Sequence, residues 1–425
     1  MPLTHYPNML RNSIDWFAQP YAFLDRAQQK HGLTFRVALP GMGRVLVTGE
    51  PQLIQAIVGN KNLVGGKGIQ IMRALFGGES LMMLQGETHQ KHRRIFMPLF
   101  RKPNLMLYDD LTVNTTLEMT RQIPVDRPFS AFDLTRQITQ LLIVRFIFGR
   151  LPPRQEVEAL GLLQTFMTSF HNPLILFLRP LRVDLGAHSP WGRAVRNRQG
   201  MQFFIREQIR SFRLTAANEH SMLAHLLAQP EMTEPEMIAE LFALLAFGHD
   251  TTSATLSWVF AHVYQNPDVA ARIKDEPFGP QDLDADTSFT QACIHESMRL
   301  CPIVVQLFRV AGQDVELPGY SIRKDEMVMP SAYLAQHNPQ IFPQPECFIP
   351  QRFMDGSNYL HSFFPYGFGL RLCLGKPLAE RQMPLILSTI VKNANLTLAP
   401  GYSPNASRYM FFIAPRAGTL MVRRS

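Results

Sequence analysis

Hydrophobic and polar positions follow two different periods along the chain, and the change between them separates a small β region from a large α region. Residues 34–37 and 45–48 are rich in strand-forming side chains and flank the glycine-containing loop 40–43, a pattern that predicts a hairpin. From about residue 90 to residue 299, hydrophobic side chains recur at helical spacing. The pattern therefore predicts a mainly α protein with a small β region.

Proline marks the places where this helical pattern stops. It interrupts the pattern at residues 152–153, between 173 and 190, and at 266–267. Beyond Pro302 prolines recur as far as residue 365, which predicts irregular chain with short strands. The sequence has no internal repeat, low-complexity tract or flexible linker. We therefore expect a single domain over residues 1–425, with residues 1–21 as an N-terminal extension.

The longest predicted helix covers residues 233–265 and has an unusual centre. Gly248, Asp250 and Thr251 follow an apolar run at 241–247. Glycine in a helix costs about 1 kcal/mol relative to alanine, and Asp and Thr compete for backbone hydrogen bonds. Polar groups near a core cost free energy unless they are used, so these side chains are candidates for chemistry. The alternative is an exposed Asp250 and a Thr251 hydroxyl bonded to its own helix.

Composition narrows the functional class only slightly. The chain has 425 residues, 46% of them hydrophobic, which is enough to bury a large core. Its four cysteines form no C-x-x-C pair, which argues against zinc, iron–sulfur and disulfide frameworks and favours the cytoplasm. A metal site built from His249, Asp250 and His262 has poor helical phasing.

Charge and hydropathy also exclude some classes. The formal charge is +8, but basic residues are scattered and no nucleic-acid module is recognisable, so an acidic protein partner is the better explanation. The first seven residues do not resemble a signal peptide. The most apolar run, 173–178, is cut off by Arg179 and Pro180, far short of a membrane span of about 18 residues. We therefore expect no transmembrane anchor.

The segment 364–375, FPYGFGLRLCLG, is the most informative part of the chain. It holds Cys373 in a glycine-rich loop, with Arg371 two residues earlier and an apolar helix beginning at Lys376. A thiolate that ligates iron needs backbone N–H groups close to the sulfur and shelter from water. Glycines allow that approach, and the positive end of the following helix favours the thiolate. An inert buried cysteine would explain neither the glycine spacing nor Arg371.

Residues 366–375 resemble the haem-binding signature of the cytochrome P450 superfamily, aromatic-Gly-x-Gly-x-Arg-x-Cys-x-Gly, at six of ten positions. The resemblance covers about residues 22–415 and is to the soluble bacterial-type members. It implies the P450 fold with one haem-centred domain, haem b (iron protoporphyrin IX) as cofactor, Cys373 as iron ligand and Arg371 as a propionate contact.

The centre of the long helix resembles the oxygen-binding motif of the same family, small-Gly-x-acid-Thr, at Gly248, Asp250 and Thr251. By that resemblance Thr251 hydrogen-bonds the dioxygen that the iron activates, and Asp250 helps to relay protons. Phe247 departs from the pattern, because the family usually has Ala or Gly at this position. We expect its ring to narrow the pocket above the haem.

Further residues are assigned through the resemblance. His89 and Arg93, four apart on a helix, resemble the family's His-x-x-x-Arg pair and would hold one propionate, and Arg309 would hold the other. Without the family, residues 91–94 read as a basic solvated face. Remaining contacts in the haem loop are assigned to Phe364, Gly367 and Gly375.

Glu296 and Arg299 resemble the family's Glu-x-x-Arg pair, and Arg352 lies in a segment that resembles its Pro-x-Arg-Phe element. Together they would form a structural ion triad behind the haem. Taken alone, the pair is only an i,i+3 contact worth about 0.2–0.5 kcal/mol.

Substrate-pocket positions carried over from the family are nearly all apolar, although such residues could equally be ordinary core. The substrate is therefore expected to be hydrophobic, such as a fatty acyl, terpenoid or polyketide-like molecule. The assigned positions are Ile69, Ile71, Met72, Leu75, Phe76, Phe166, Met167, Phe170, Leu244, Phe247, Val304, Val305, Leu307, Met410, Phe411 and Phe412.

The resemblance implies a monooxygenase that uses O2 and external electrons, because the chain contains no flavin or ferredoxin module. A ferredoxin or flavodoxin with its reductase is the expected donor, docking near Lys91, Arg94, Arg101 and Lys102. Two alternatives remain open at this stage: a peroxide-driven fatty-acid hydroxylase or decarboxylase on the same fold, and a non-catalytic haem or ligand sensor in which Phe247 closes the distal side.

Overall fold

The computed structural model describes residues 9–39, 42–65, 72–73, 75–169, 182–215, 221–277, 279, 288–357, 359–409 and 412–425. The longer helices alternate with short strands near both ends of the chain. The helices are α1 (Met9–Ala18), α2 (Pro20–His31), α3 (Pro51–Gly59), α4 (Gly86–Phe96), α5 (Lys102–Met106), α6 (Asp109–Arg121), α7 (Ala131–Phe148), α8 (Pro153–Thr168), α9 (Pro190–Thr215), α10 (Met222–Leu227), α11 (Glu234–Phe247), α12 (Asp250–Gln265), α13 (Pro267–Asp275), α14 (Phe289–Leu300), α15 (Ala332–Gln336) and α16 (Lys376–Asn393).

Short strands complete the fold. They are β1 (Thr34–Leu39), β2 (Gly43–Thr48), β3 (Leu63–Gly65), β4 (Pro128–Ser130), β5 (Arg309–Ala311), β6 (Val315–Leu317), β7 (Tyr320–Ile322), β8 (Met327–Pro330), β9 (Leu396–Leu398), β10 (Ala406–Tyr409), β11 (Phe412–Pro415) and β12 (Leu420–Arg423). The largest sheet has the order β1-β2-β8-β5-β3.

The hairpin predicted near the N-terminus is confirmed. β1 and β2 pair antiparallel, with Thr34 opposite Thr48, and the parallel pairing of β2 with β8 joins this hairpin to the C-terminal half. Val37, Val45 and Val47 point into an apolar cluster shared with α1, α2 and β8. The sheet therefore connects the two ends of the chain rather than forming a separate unit.

Two larger apolar clusters surround the middle of the molecule. One gathers side chains from α7 to α11, and the other gathers side chains from α7, α12, α14 and α16. α7 contributes to both, because most of its side chains are buried around the whole circumference. Such a helix is typical of the centre of a large α domain. The mainly α fold with one centre agrees with the sequence prediction.

The predicted start of the long helix is confirmed in detail. The Thr233 hydroxyl accepts a hydrogen bond from the Glu236 N–H group, and the Glu236 carboxylate accepts one from the Thr233 N–H group. This capping box pairs N–H groups that the first helical turn leaves without an intrahelical partner. Pro235 lies in the same turn, and because proline has no N–H group it leaves no donor unpaired there.

The prediction of one continuous helix over 233–265 is wrong at its centre, where α11 ends and α12 begins. His249 has φ −123° and ψ −50°, outside helical geometry. A Cβ atom on Gly248 would lie 2.6 Å from the carbonyl oxygen of Leu244 and 2.8 Å from Cδ1 of Ile143. A larger residue would therefore collide with α7. Glycine permits this close crossing but weakens the helix, and the two helices separate there.

Candidate active site

A cavity of about 260 Å³ lies between the cysteine loop that precedes α16 and the break between α11 and α12. It brings together residues from both constellations that the sequence singled out, although they are more than a hundred positions apart. Predicted site residues that line it are Leu244, Phe247, Thr251, Val304, Leu307, Arg309, Gly367, Arg371, Cys373 and Gly375.

The cysteine loop forms because two glycines adopt conformations that other residues rarely take. Gly367 and Gly369 have φ values of 73° and 63°. The turn they create lets the Cys373 N–H group donate to the carbonyl oxygen of Tyr366 at 2.9 Å. Gly375 is different, because its φ is −78° and an added Cβ atom would lie 3.9 Å from Cys373 Sγ, an ordinary contact.

Cys373 is set up to carry charge when it binds a cation. Cys373 lines the cavity, where its side chain is exposed at the wall although the thiol lies deep among protein atoms. Burial raises the pKa of the Cys373 thiol, while the backbone N–H groups of Gly375 and Lys376 and the charge of Arg93 lower it. Backbone N–H groups that point at the sulfur stabilise the thiolate that forms when the thiol releases its proton to solvent and binds a metal. The loop therefore fits an iron ligand better than an inert thiol.

Basic groups converge beside this loop. Burial first, and then Arg371, lower the pKa of Arg309 to about 10. Burial, Arg371 and Arg93 lower the pKa of His89 to about 4. In the described part of the chain, Arg93, Arg309 and Arg371 donate to backbone carbonyl oxygens rather than to carboxylates. The positive charges of Arg93, Arg309 and Arg371, gathered beside the cavity, form a site for an anion.

The arginines are held by backbone carbonyls. Arg371 donates to the carbonyl oxygens of Leu81 at 3.2 Å and Met82 at 3.4 Å, and also to that of Leu84. Arg93 donates to the carbonyl oxygen of Leu372 at 2.8 Å, which ties α4 to the cysteine loop. His89 is buried, and neither His89 nor Arg93 lines the cavity itself.

These residues fit a haem group. The cavity has a sulfur ligand supported by backbone N–H groups on one side, and arginines without acidic partners at its edge to receive propionates. Phe364 lies outside the cavity, buried in a small apolar cluster with Ile54 and Ala335, so its effect on haem would be indirect.

Thr251 and Asp250 stand in different positions relative to the cavity. Thr251 lines the cavity, and its hydroxyl donates to the carbonyl oxygen of Phe247 at 3.2 Å. Asp250 is only 1% exposed and lies behind the lining, where its Oδ1 is 3.2 Å from Nε2 of His249. Both the functional interpretation of Thr251 and the alternative, a hydroxyl bonded to its own helix, agree with this geometry.

Phe247 is half-buried and lines the cavity. Its ring also packs against Phe76, with ring centroids 4.6 Å apart. Phe76 in turn contacts Phe166 and Phe242, at 5.8 Å and 5.5 Å between centroids. The departure from the family motif therefore joins the cavity wall to an aromatic cluster behind it.

Several predicted pocket residues lie behind the lining rather than in it. Phe76, Phe166, Leu75 and Met167 are buried in the core, and Met72 packs against the same cluster. Val305 belongs to the apolar cluster near β1 and β2, and Phe412 to a small cluster near α7. The predictions that fall on Ile69, Ile71, Phe170, Met410 and Phe411 lie outside the described residues.

The sequence reasoning missed part of the lining. Phe100, Ile143, Phe146 and Ile303 face the cavity, but in the sequence they cannot be distinguished from core residues at helical spacing. It also missed the contact between His249 and Asp250, since neighbouring residues in a continuous helix point in different directions. Among the described residues, no cluster of three or more His, Cys, Asp or Glu side chains forms a metal site.

Glu296, Arg299 and Arg352 come together in the core. Arg299 Nε donates to Glu296 Oε2 at 2.8 Å, and Arg352 Nε donates to Oε1 at 3.3 Å. Arg299 also donates to the carbonyl oxygens of Gln336 and Cys347, at 2.9 Å and 3.1 Å. The cluster thereby ties α14 to α15 and to the irregular chain that precedes the cysteine loop.

Comparison with known proteins gives a consistent result. The family model described as Cytochrome P450 matches residues 5–420. Cytochrome P450 138 of Mycobacterium tuberculosis is 29% identical over 418 residues, which cover 94% of this chain and 91% of that protein. Cytochrome P450 137 of the same species is 24% identical over 403 residues, which cover 93% and 83%.

Solved structures share the fold. The retinoic acid-bound cyanobacterial CYP120A1 superimposes with a TM-score of 0.85 at 21% identity, over 97% of this chain and 96% of that one. CYP175A1 from Thermus thermophilus superimposes with a TM-score of 0.79 at 19% identity, over the whole of both chains. In the described parts of the chain, no helix combines the length and apolar character needed to cross a membrane.

Proposed function

Because the chain belongs to the cytochrome P450 family and is therefore a haem-thiolate monooxygenase, we propose that it hydroxylates or epoxidises a hydrophobic small molecule. One atom of O2 enters the substrate and the other leaves as water, which consumes two electrons and two protons. The observation that carries the proposal is the cavity that holds Cys373 and Thr251 together with an apolar wall.

The lining supports a hydrophobic substrate. The apolar part of the lining includes Leu244 and Phe247 of α11, Ile143 and Phe146 of α7, and Val304. The charged side chains Arg309 and Arg371 line the cavity too, but they stand beside the cysteine loop, where haem propionates would neutralise them. A ligand above the haem would therefore gain mainly from burial of apolar surface. Fatty acyl, terpenoid and polyketide-like molecules meet this requirement.

We propose haem b as the cofactor, with Cys373 as the ligand, Arg371, Arg309 and Arg93 as the cations that balance its propionates, and His89 as a neutral hydrogen-bond donor to one of them. When bound, haem supplies the iron at which O2 is reduced and the O–O bond is broken, a step that a thiolate favours by donating electron density. The protein contributes the sulfur, the positive charge and a cavity that limits access of water.

We propose that Thr251 and Asp250 deliver protons to the site where O2 is reduced. Of these two residues, Thr251 lines the cavity and Asp250 does not, so the Thr251 hydroxyl can form a hydrogen bond at the site of oxygen chemistry. Asp250 lies behind it and can resupply protons without opening the cavity to bulk water.

Electrons are proposed to come from a ferredoxin or flavodoxin with its reductase. Arg94, Arg101 and Lys102 are exposed on α4 and just beyond it, and the Arg93–Leu372 hydrogen bond places this surface beside the cysteine loop. Lys91 is partly engaged, since its Nζ is 3.7 Å from a carboxylate oxygen of Glu231. A basic surface there suits an acidic electron carrier.

A binding-spectrum screen followed by turnover tests this proposal. Hydrophobic ligands that displace the iron-bound water should shift the Soret band, and the best of them should be oxidised with NAD(P)H, reductase and ferredoxin. Charged analogues of the same size should bind at least tenfold more weakly. Binding restricted to charged ligands would contradict the substrate class.

The same assay separates the alternatives. A peroxide-driven enzyme would turn over with peroxide alone and gain little from the electron-transfer system, whereas the buried Asp250 behind Thr251 supports dependence on externally supplied electrons. A ligand sensor would bind ligands without ligand-dependent consumption of NAD(P)H.

A further inference from the structure

His249 and Asp250 form a buried pair at the break between α11 and α12. Their exposures are 0% and 1%, and Nε2 of His249 lies 3.2 Å from Oδ1 of Asp250. The contact is close but not aligned as a hydrogen bond, and within the described part of the chain neither carboxylate oxygen has a hydrogen-bond partner. A buried ionised carboxylate without a donor is costly.

The other nitrogen of His249 determines what Nε2 can offer. Nδ1 is 2.7 Å from the carbonyl oxygen of Leu245, which can only accept, so Nδ1 carries a hydrogen. A neutral imidazole has one N–H group, and Nε2 would then turn a lone pair towards the carboxylate of Asp250. One additional proton, on Nε2 or on Asp250, removes this repulsion.

Among the described residues, no neighbouring group donates a hydrogen bond to the Asp250 carboxylate in place of that proton. The Gln140 amide lies 3.3 Å from the same Nε2 and can satisfy either form, because its oxygen and nitrogen exchange places by a flip. Asp250 also contributes to the raised pKa of Tyr409, after burial, and Arg136 donates to the Tyr409 hydroxyl at 3.2 Å. Asp133, which pairs with Arg136, is 53% exposed. None of these groups donates a hydrogen bond to Asp250.

We propose that His249 and Asp250 share one proton, and that this pair is the proton store behind the Thr251 hydroxyl. The inference rests on the proposed function, since turnover of O2 consumes protons. Thr251 follows Asp250 directly and lines the cavity, whereas the pair does not. The pair releases its proton towards Thr251, directly or through water, as that hydroxyl passes a proton into the cavity. It then takes a proton back from solvent, so the balance over a cycle is closed.

Spectroscopy on the haem-loaded protein tests the shared proton without substrate or electron donor. In the diamagnetic ferrous carbon monoxide complex, nitrogen-15 shifts of His249 report which ring nitrogens carry hydrogen, and infrared difference spectra against Asp250→Asn report a protonated carboxyl. We expect either two protonated nitrogens or a carboxyl band that Asp250→Asn removes. A neutral His249 protonated only at Nδ1, with no carboxyl band, would overturn the proposal.

Kinetics test whether the pair acts as a store. His249→Gln keeps a hydrogen-bonding group but no titratable proton, so we expect NAD(P)H consumption to slow about tenfold and the solvent isotope effect to rise. His225→Gln is the matched control, because His225 contacts the carbonyl oxygen of Ile95 and lies outside the cavity lining. An unchanged rate and isotope effect in folded, haem-loaded His249→Gln would refute the store.

The two arms also separate this inference from the proposed function. If the protein proved to be a sensor or to depend on peroxide, the proposed function would fail while the spectroscopic signature of a shared proton remained measurable. If turnover with the electron-transfer system is normal and the signature is absent, only the inference fails.

Discussion

The hydroxyl of Thr251 donates to the carbonyl oxygen of Phe247 at 3.2 Å, and both residues line the same cavity. In this geometry the hydroxyl hydrogen points to the helix and the lone pairs remain for the cavity, so the hydroxyl passes a proton into the cavity by accepting one and rotating away from Phe247. The acceptor is the backbone carbonyl, which any residue at position 247 would offer, so this bond orients Thr251 independently of the Phe247 ring. Chemistry at Thr251 and pocket shape at Phe247 can therefore be tested by separate substitutions.

Removing the hydroxyl should uncouple turnover. Thr251→Ala is expected to keep haem and ligand binding but to release hydrogen peroxide in place of product, because protons are no longer directed at the bound oxygen. Peroxide and product are measured against NAD(P)H consumed. Thr251→Ser should restore most of the coupling, and Thr252→Ala, a neighbouring lining residue, should change it less. Equal coupling in wild type and Thr251→Ala would remove this role.

Truncating Phe247 should widen the pocket. Phe247→Ala is expected to admit larger ligands and broaden the product distribution, with a moderate loss of stability because the ring is only half-buried. Phe166→Ala is the control, since Phe166 is fully buried and lies outside the lining. It should cost about 3–5 kcal/mol without altering selectivity. A large stability loss with unchanged products in Phe247→Ala would identify that ring as packing alone.

The iron ligand can be identified by spectroscopy. The reduced, carbon monoxide-bound protein should show the red-shifted Soret band of a thiolate ligand, and Cys373→His should lose it. Cys301 lines the same cavity and provides the control, because burial raises the pKa of its thiol and Cys301→Ala should keep the band. A histidine-like spectrum of folded wild type with haem would contradict the assignment.

The buried ion cluster should matter for stability. Glu296→Gln leaves Arg299 and Arg352 without their shared carboxylate and is expected to lower the free energy of unfolding by about 3–5 kcal/mol. Asp15→Asn, which removes the exposed partner of Arg26, should cost only about 0–1 kcal/mol. Urea denaturation of both variants measures the difference. Similar values for the two would show that burial adds nothing to this cluster.

A second buried pair should make stability depend on pH. His92 Nδ1 is 2.8 Å from Glu240 Oε1, and this hydrogen bond raises the pKa of His92 despite its burial. Burial likewise raises the pKa of Glu240. Both shifts mean that the folded state holds protons more tightly than the unfolded chain. The contribution of His92 is present below its unfolded value of 6.5 and is lost as pH rises through the higher folded value.

The unfolding free energy of wild type relative to His92→Gln should therefore fall as pH rises from about 6 to about 8. The half-buried His295 offers the control, because its acidic neighbour is Glu380 and His295→Gln leaves the His92–Glu240 contact in place. Denaturant titrations at several pH values give the comparison. A difference between wild type and His92→Gln that is independent of pH would contradict the role of the pair.

Local chemistry was readable from the sequence where a few adjacent residues have to act together. Cys373, the positive-φ glycines Gly367 and Gly369, and the helix start at Lys376 lie within one short segment, so their spacing alone predicted the loop. The predicted start of the long helix at Thr233 is local in the same way. Such features depend on residues that are close in the sequence, so the sequence alone can predict them.

Contacts between distant segments were decided only by the tertiary structure. The break at Gly248 depends on how closely α7 crosses, because it is Ile143 that leaves no room for a Cβ atom. Beside that break, Asp250 lies behind the cavity lining with its Oδ1 3.2 Å from Nε2 of His249. Apolar residues such as Phe146 and Phe166 look alike in the sequence, yet the first lines the cavity and the second fills the core. Hydrophobicity determines that a side chain is buried, while only the packing of helices determines whether it faces other side chains or the cavity.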